Sequence, residues 1–211
     1  MEHVYCYQLG STNCYKVGRT KNSPATRKLG LATGAPMRLT LYKDIETEYS
    51  SALETHIHQL LDPKRAENGE YFHVTPGELD SAVDQAVSFV ERAQPLLQKA
   101  ADLRSRAILS EAVVEPSDEM LQTYHRLRAL RQQRYLLQQE IDFLESTIQV
   151  AIGENSGMRG VASWKWVDCP RFDEKRFKKE QETLYSAYLR DSGSRRFCVE
   201  RAYLADADSA G

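Results

Sequence analysis

The dominant hydrophobic period of this chain shifts near residue 75, from short strand-like runs to long helical stripes, and that shift limits the folds open to it. Before it, aromatic and β-branched residues cluster in short runs at Val4 to Leu9 and Cys14 to Gly18, and over Arg38 to Glu46 apolar Leu39, Leu41 and Ile45 alternate with polar neighbours, the marks of strands. After it apolar residues recur in steps of four and three, at Leu79, Val83, Ala86, Val90, Ala93, Leu97 and Ala100. The same steps return at Leu127, Leu130, Arg134, Leu137, Ile141, Leu144, Ile148 and Ala151, a period near 3.5 that belongs to helices lying side by side. A chain of 211 residues divided in this way predicts an α/β (α+β) protein, a small mixed unit followed by long helices.

Local signals order the first unit. Gly10 to Asn13 supplies turn chemistry between two strands, so the chain should open with a hairpin. Ser23 as cap and Pro24 at the first helical position predict a short helix over Ala25 to Leu29, ended by Gly30 and Gly34. A third strand, Arg38 to Glu46, precedes a helix over Tyr49 to Leu61 with Leu53, Ile57, Leu60 and Leu61 on one face. AENGEYFHV resumes strand character, and Thr75-Pro76 opens the next helix. The resulting order is β-β-α-β-α-β over residues 1–77. Helices are expected over 78–153, with Pro95 kinking or dividing the first. The two heptad stripes can close on each other as an antiparallel hairpin, or the stripe over 121–152 can pair with a second copy or another partner. Residues 154–204 read as a small α+β module: a strand at VASWKWV, a helix at DEKRFKKEQETLYSAYL and a closing strand at RRFCVERAYL. Residues 205–211 read as a disordered tail.

Charge is unevenly spread. From His3 to Lys43 there are seven Lys or Arg and no acid; Leu79 to Met158 holds eight cations against twelve anions; Arg159 to Arg201 holds eleven against seven. With a net charge of -2 the chain is no wholesale polyanion binder, yet its basic ends can each hold one locally. No apolar run approaches the about 18 residues of a membrane span, and no charged-then-apolar leader is present, which predicts a cytoplasmic protein. Cys6, Cys14, Cys169 and Cys198 form no CxxC pair, so neither zinc nor a disulfide framework is expected, and Cys6 and Cys14 read as buried free thiols.

Four features of the first unit carry chemistry. Tyr5, with Tyr7 and Tyr15 near it, offers a phenol that acts as a base only beside a cation or metal. Lys16, Arg19 and Arg27 are cations suited to phosphoryl oxygens. Glu54 and His58 stand four residues apart on one helix face, and a lone carboxylate with waters and a substrate phosphate is the usual way to hold Mg²⁺. His56, on another face, should be exposed. Gly69 to Phe72 begin a strand able to close the sheet. Each has a plainer reading, as sheet packing, a solvated basic face or an exposed helix pair; their order and spacing are more specific.

Taken in order, Val4-Tyr5 with Tyr7, Tyr15-Lys16-Val17-Gly18-Arg19-Thr20, Arg27, Glu54 within ETHIH, and Gly69-Glu70-Tyr71-Phe72 resemble the GIY-YIG nuclease superfamily, in the phage-type branch whose second signature reads KIG. The resemblance spans residues 4–74. It implies a one-metal hydrolysis of DNA with Mg²⁺, or Mn²⁺ in its place: Glu54 as metal ligand, Tyr5 as base with Lys16 assisting, Arg27 neutralising developing charge and His58 orienting water or phosphate. Arg19, Lys21, Lys28 and Arg38 are the cations expected along bound DNA. Lys16 stands where most members have a second tyrosine, and Leu31 where some have a histidine, so the usual two-tyrosine proton path is altered. A non-catalytic DNA-binding or adaptor protein on the same fold is the alternative.

The long heptad helix and the Trp-bearing segment after it resemble the C-terminal extension of phage YqaJ-type recombination exonucleases, over residues 121–199 and without that family's nuclease core. A stabilising or dimerising module is one reading of this part. The other is a DNA-tracking surface in which Lys165, Arg171, Lys175, Arg176, Arg195 and Arg196 meet the backbone and Trp164 or Trp166 stack on bases.

Overall fold

The computed structural model describes residues 1–32, 37–66, 69–106, 112–190 and 192–199. The chain divides into two compact units, Met1–Ala107 with Gly193–Gly211, and Ile108–Ser192. The first holds an antiparallel four-stranded sheet of β1 (Glu2–Leu9), β2 (Cys14–Thr20), β3 (Leu39–Thr47) and β4 (Tyr71–His73), in the order β3-β1-β2-β4. Between them run α1 (Pro24–Ala32) and α2 (Ser50–Leu61), and α3 (Pro76–Ser105) follows.

The hairpin forms as its turn residues predict, with Gly10 at φ 59° and Tyr5 opposite Gly18, Tyr7 opposite Lys16 and Cys6 opposite Val17. Because β1 and β2 are central, both of their faces are covered, and Val4 to Tyr7 are buried without a break. One face carries Val4, Cys6, Tyr15 and Val17 against Leu53 and Ile57 of α2 and Leu79 and Val83 of α3. The other carries Tyr5, Tyr7, Leu9 and Cys14, with Leu39 of β3 and Leu31 of α1. Fully burying a Val, Leu or Ile is worth about 1.5–3 kcal/mol each, so the α2–α3 face is the main store of stability. Cys6 and Cys14 are buried free thiols on opposite faces of the sheet.

Three boundaries differ from expectation. Gly30 lies inside α1, which continues to Ala32; Gly34 lies outside the described residues. Pro95 neither ends nor divides α3, a single helix of 30 residues, since the carbonyl freed one turn back, at Glu91, is on an exposed residue that water can reach. The core of the first unit runs beyond residue 77, because Leu79, Ala82, Val83, Ala86 and Val90 bury the first half of α3. A capping box fixes that helix's start: Glu78 N–H donates to Thr75 Oγ1 at 3.3 Å and Thr75 N–H to Glu78 Oε2 at 2.7 Å.

The second unit is dominated by α4 (Asp118–Ile152), 35 residues long, capped by Ser117 and ended by Gly153 at φ 62°. The C-terminal expectations are met in reduced form. VASWKWV contributes only β6 (Ala162–Ser163), paired with β5 (Gly157–Met158). The expected single helix is two short ones, α5 (Glu174–Glu180) and α6 (Glu182–Tyr188), with Gln181 between them at φ −134°. Residues 192–199 form no strand; residues 200–211, including the expected tail, lie outside the described residues. Among the described residues no helix is long and apolar enough to cross a membrane.

Candidate active site

The sequence fold places Tyr5 on a glycine. Directly paired residues on antiparallel strands share a face, so Tyr5, Gly18, Tyr7 and Lys16 all point to the α1 side. A Cβ on Gly18 would lie 2.5 Å from the Tyr5 hydroxyl; the missing side chain is what lets the phenol lie across β2. The Tyr5 and Tyr7 rings meet with centroids 4.7 Å apart, and the Tyr7 hydroxyl donates to the Pro24 carbonyl. That bond ties the first turn of α1 to the sheet.

Arg27, one turn into α1, reaches back from there: its Nε donates to the Tyr5 hydroxyl at 3.5 Å. The bond to Tyr5 and the electronegative surroundings of Tyr5, Glu70 and Tyr7 raise the affinity of the guanidinium for its proton. Burial, with Tyr5 and Asp44 adding to it, pushes the Tyr7 phenol up to about 12. Lys16 is 8% exposed. Its ammonium meets the Glu70 carboxylate and lies 5.0 Å from the centre of the Tyr71 ring. The GEYF segment is thus the wall that receives Lys16, and Tyr5, Lys16 and Arg27 are gathered on one face.

Glu54 and His58 stand elsewhere. Arg19 pairs with Val4 across the hairpin, which turns its side chain to the α2 side, and its Nε meets Glu54 Oε2 at 3.1 Å. Glu2 joins the same group, 3.7 Å from Arg19 and 3.9 Å from Lys21, and its carboxyl is held below the usual range by the Ser50 hydroxyl, with Lys21 and Arg19 assisting. His58 Nε2 lies 3.2 Å from the Val17 carbonyl, and its ring packs 5.1 Å from Phe72. His56, expected on an exposed face, is half-buried and stacks on Phe89 of α3 at 4.6 Å.

Lys28 is half-buried and Arg38 exposed. Arg195 and Arg196 are exposed too, and the Arg195 N–H donates to the Arg104 carbonyl near the end of α3, at 3.1 Å. Sequence reasoning overlooked Arg65. Its side chain bonds Asp62 at 2.8 Å and the Gly69 carbonyl, and lies 4.8 Å from the centre of the Phe72 ring, so it shapes the loop that carries Glu70. Arg three residues after Asp, shortly before Asn68-Gly69, was the available signal.

As a donor set for a divalent ion, Glu54 is a single carboxylate, and among the described residues no group of three or more His, Cys, Asp or Glu comes together. One carboxylate suits Mg²⁺, which keeps most of its water and takes its remaining ligands from a phosphate. Here that carboxylate is paired with Arg19, whose side chain is 44% exposed.

No curated protein and no solved structure matches this chain. The family model of the T5orf172 domain matches residues 2–87, the sheet, α1, α2 and the buried first half of α3.

Proposed function

We propose that the first unit is a phage-type, metal-dependent DNA endonuclease of the GIY-YIG kind. The observation that carries this reading is the convergence of Tyr5, Lys16 and Arg27 on one face of the sheet, with Gly18 kept bare beneath the phenol. The T5orf172 match supports it, since that domain is often associated with phage nucleases of this type.

In the proposed reaction Arg27 binds a non-bridging oxygen of the scissile phosphate, where its charge gains in value as the oxygen becomes more negative. Tyr5 Oη, as the phenolate, accepts the proton of the attacking water and becomes the neutral phenol. Lys16, diagonal to Tyr5 across the hairpin, assists with its positive charge. Glu54 would hold Mg²⁺, or Mn²⁺, which supplies Lewis-acid stabilisation of the phosphate and leaving oxygen. Arg19 must release Glu54 for that, and is then free to contact the DNA backbone together with Lys21, Lys28 and Arg38. His58 orients water or phosphate, and Arg195 and Arg196 add phosphate contacts from the chain's return along α3.

One observation favours a second reading, a non-catalytic DNA-binding or adaptor protein: the Glu54–Arg19 ion pair lies on the α2 side while Tyr5 faces α1. A plasmid nicking assay in Mg²⁺ or Mn²⁺ separates the two. Nuclease function requires wild-type protein to nick and Glu54→Ala to lose most of that activity. If both leave the plasmid intact across salt and metal conditions while a salt-sensitive gel shift persists, the adaptor reading holds.

A further inference from the structure

The charge along α4 is divided by sign. Arg126, Arg128, Arg131 and Arg134 fall in a stretch with no acid from Met120 to Gln139; Glu140, Asp142 and Glu145 follow, with no cation from Tyr135 to Met158. No Arg in the first group has an acid three or four residues away, so these charges have no carboxylate partner along their own helix, although Arg128 donates to the Tyr124 hydroxyl at 3.3 Å. Among the described residues none of them forms an ion pair anywhere in the chain. The apolar stripe between the flanks is also open: Leu130, Leu137, Ile141 and Leu144 are 45–59% exposed, and Ile152 is the one buried residue of the helix.

We propose that a second copy of the chain covers this stripe, its α4 running antiparallel. In the heptad that places Leu127 and Ile141 at a, and Leu130, Leu137 and Leu144 at d, Arg126 and Glu140 occupy g while Arg131 and Glu145 occupy e. A parallel pair sets g against e of the next heptad, so Arg126 would face Arg131 and Glu140 would face Glu145, repulsive at both places. It would also set Arg134, at a, against its own copy. An antiparallel pair sets g against g and e against e, which brings the basic half of each helix onto the acidic half of the other. Arg134 then lies against a leucine layer, along which its methylene stem packs while the guanidinium reaches water. Complementarity of both flanks in one orientation and repulsion in the other is what selects a copy of this helix as the occupant.

Light scattering on the full chain at micromolar concentration tests this, with Arg131→Glu as the discriminating variant. The expected result is a wild-type mass twice 24.1 kDa. Arg131→Glu then faces Glu145 of the second copy and weakens the dimer by about tenfold or more, and the swap Arg131→Glu with Glu145→Arg restores it. In a parallel dimer Arg131→Glu would instead face Arg126 and tighten association. A wild-type protein that stays monomeric at about 100 µM, as it would if α4 were covered within its own chain, overturns the proposal. So does an Arg131→Glu dimer as tight as wild type or tighter. Circular dichroism of each variant, and rescue by the swap, separate loss of pairing from loss of the helix.

Discussion

Tyr5 and Gly18 face each other across the hairpin so closely that a Cβ on Gly18 would stand 2.5 Å from the Tyr5 hydroxyl and 2.8 Å from its Cζ. The Tyr5 ring is itself 1% exposed and packed on Tyr7, so it has no empty space to retreat into. The glycine of the second signature is therefore a seat for the tyrosine of the first. Gly18→Ala is expected to cost about 1–3 kcal/mol of stability, the usual range for overpacking, and to move the Tyr5 hydroxyl off Arg27. Urea unfolding and plasmid nicking measure the two effects. A Gly18→Ala protein as stable and as active as wild type would mean that the phenol does not need this seat.

Lys16 occupies the place of an expected tyrosine, and its environment separates stability from activity. Its ammonium is held by Glu70, whose own side chain is 50% exposed and would be rehydrated if the lysine were lost. Lys16→Met keeps the stem that packs by Tyr71 and removes the charge. It should change the unfolding midpoint little and lower cleavage by about 100-fold or more, the scale of losing one charge-stabilising group. Nicking by Lys16→Met at the wild-type rate would remove Lys16 from the chemistry.

The grouping of Tyr5, Lys16 and Gly18 was readable from the sequence because a hairpin with a four-residue loop fixes which residues pair, and pairing fixes the face. Arg27 was readable from the Ser23-Pro24 helix start. The Glu54–Arg19 pair was not, since it depends on how α2 lies across β2, and no local pattern encodes that packing angle. The stacking of His56 on Phe89 arises in the same way, from the contact of α2 with α3. At the other end, VASWKWV has the composition of a strand but only the two residues of β5 to pair with, and strand propensity is realised only where a partner exists.

Acid should loosen the contact between β3 and α3. Asp80 accepts hydrogen bonds from Lys43 Nζ at 3.0 Å and the Tyr42 hydroxyl at 2.8 Å, and these, Lys43 first, hold its carboxyl below the usual range. A folded-state value below the unfolded one of about 3.9 stabilises the fold above that pH, and the contribution is lost as pH falls through the folded value. Urea midpoints taken from about pH 5 downward should therefore fall more steeply for wild type than for Asp80→Asn. Parallel curves would show that Asp80 contributes no pH-dependent stability.

Alkali should act through Tyr7. Burial, joined by Tyr5 and Asp44 and opposed by Arg27, pushes its phenol up to about 12, well above the unfolded value of about 10. The protonated form's contribution is complete below that unfolded value and is lost as pH rises through the folded one. The proton at stake is the one donated to the Pro24 carbonyl, so ionisation would release the first turn of α1 and, with it, Arg27. Absorbance at about 295 nm, where phenolates absorb, compared between wild type and Tyr7→Phe, should show one tyrosine that ionises only near 12 or together with unfolding. A tyrosine missing from the Tyr7→Phe titration that ionises near 10, with the far-ultraviolet circular dichroism still native, would show that the Tyr7 hydroxyl is open to water and does not anchor α1.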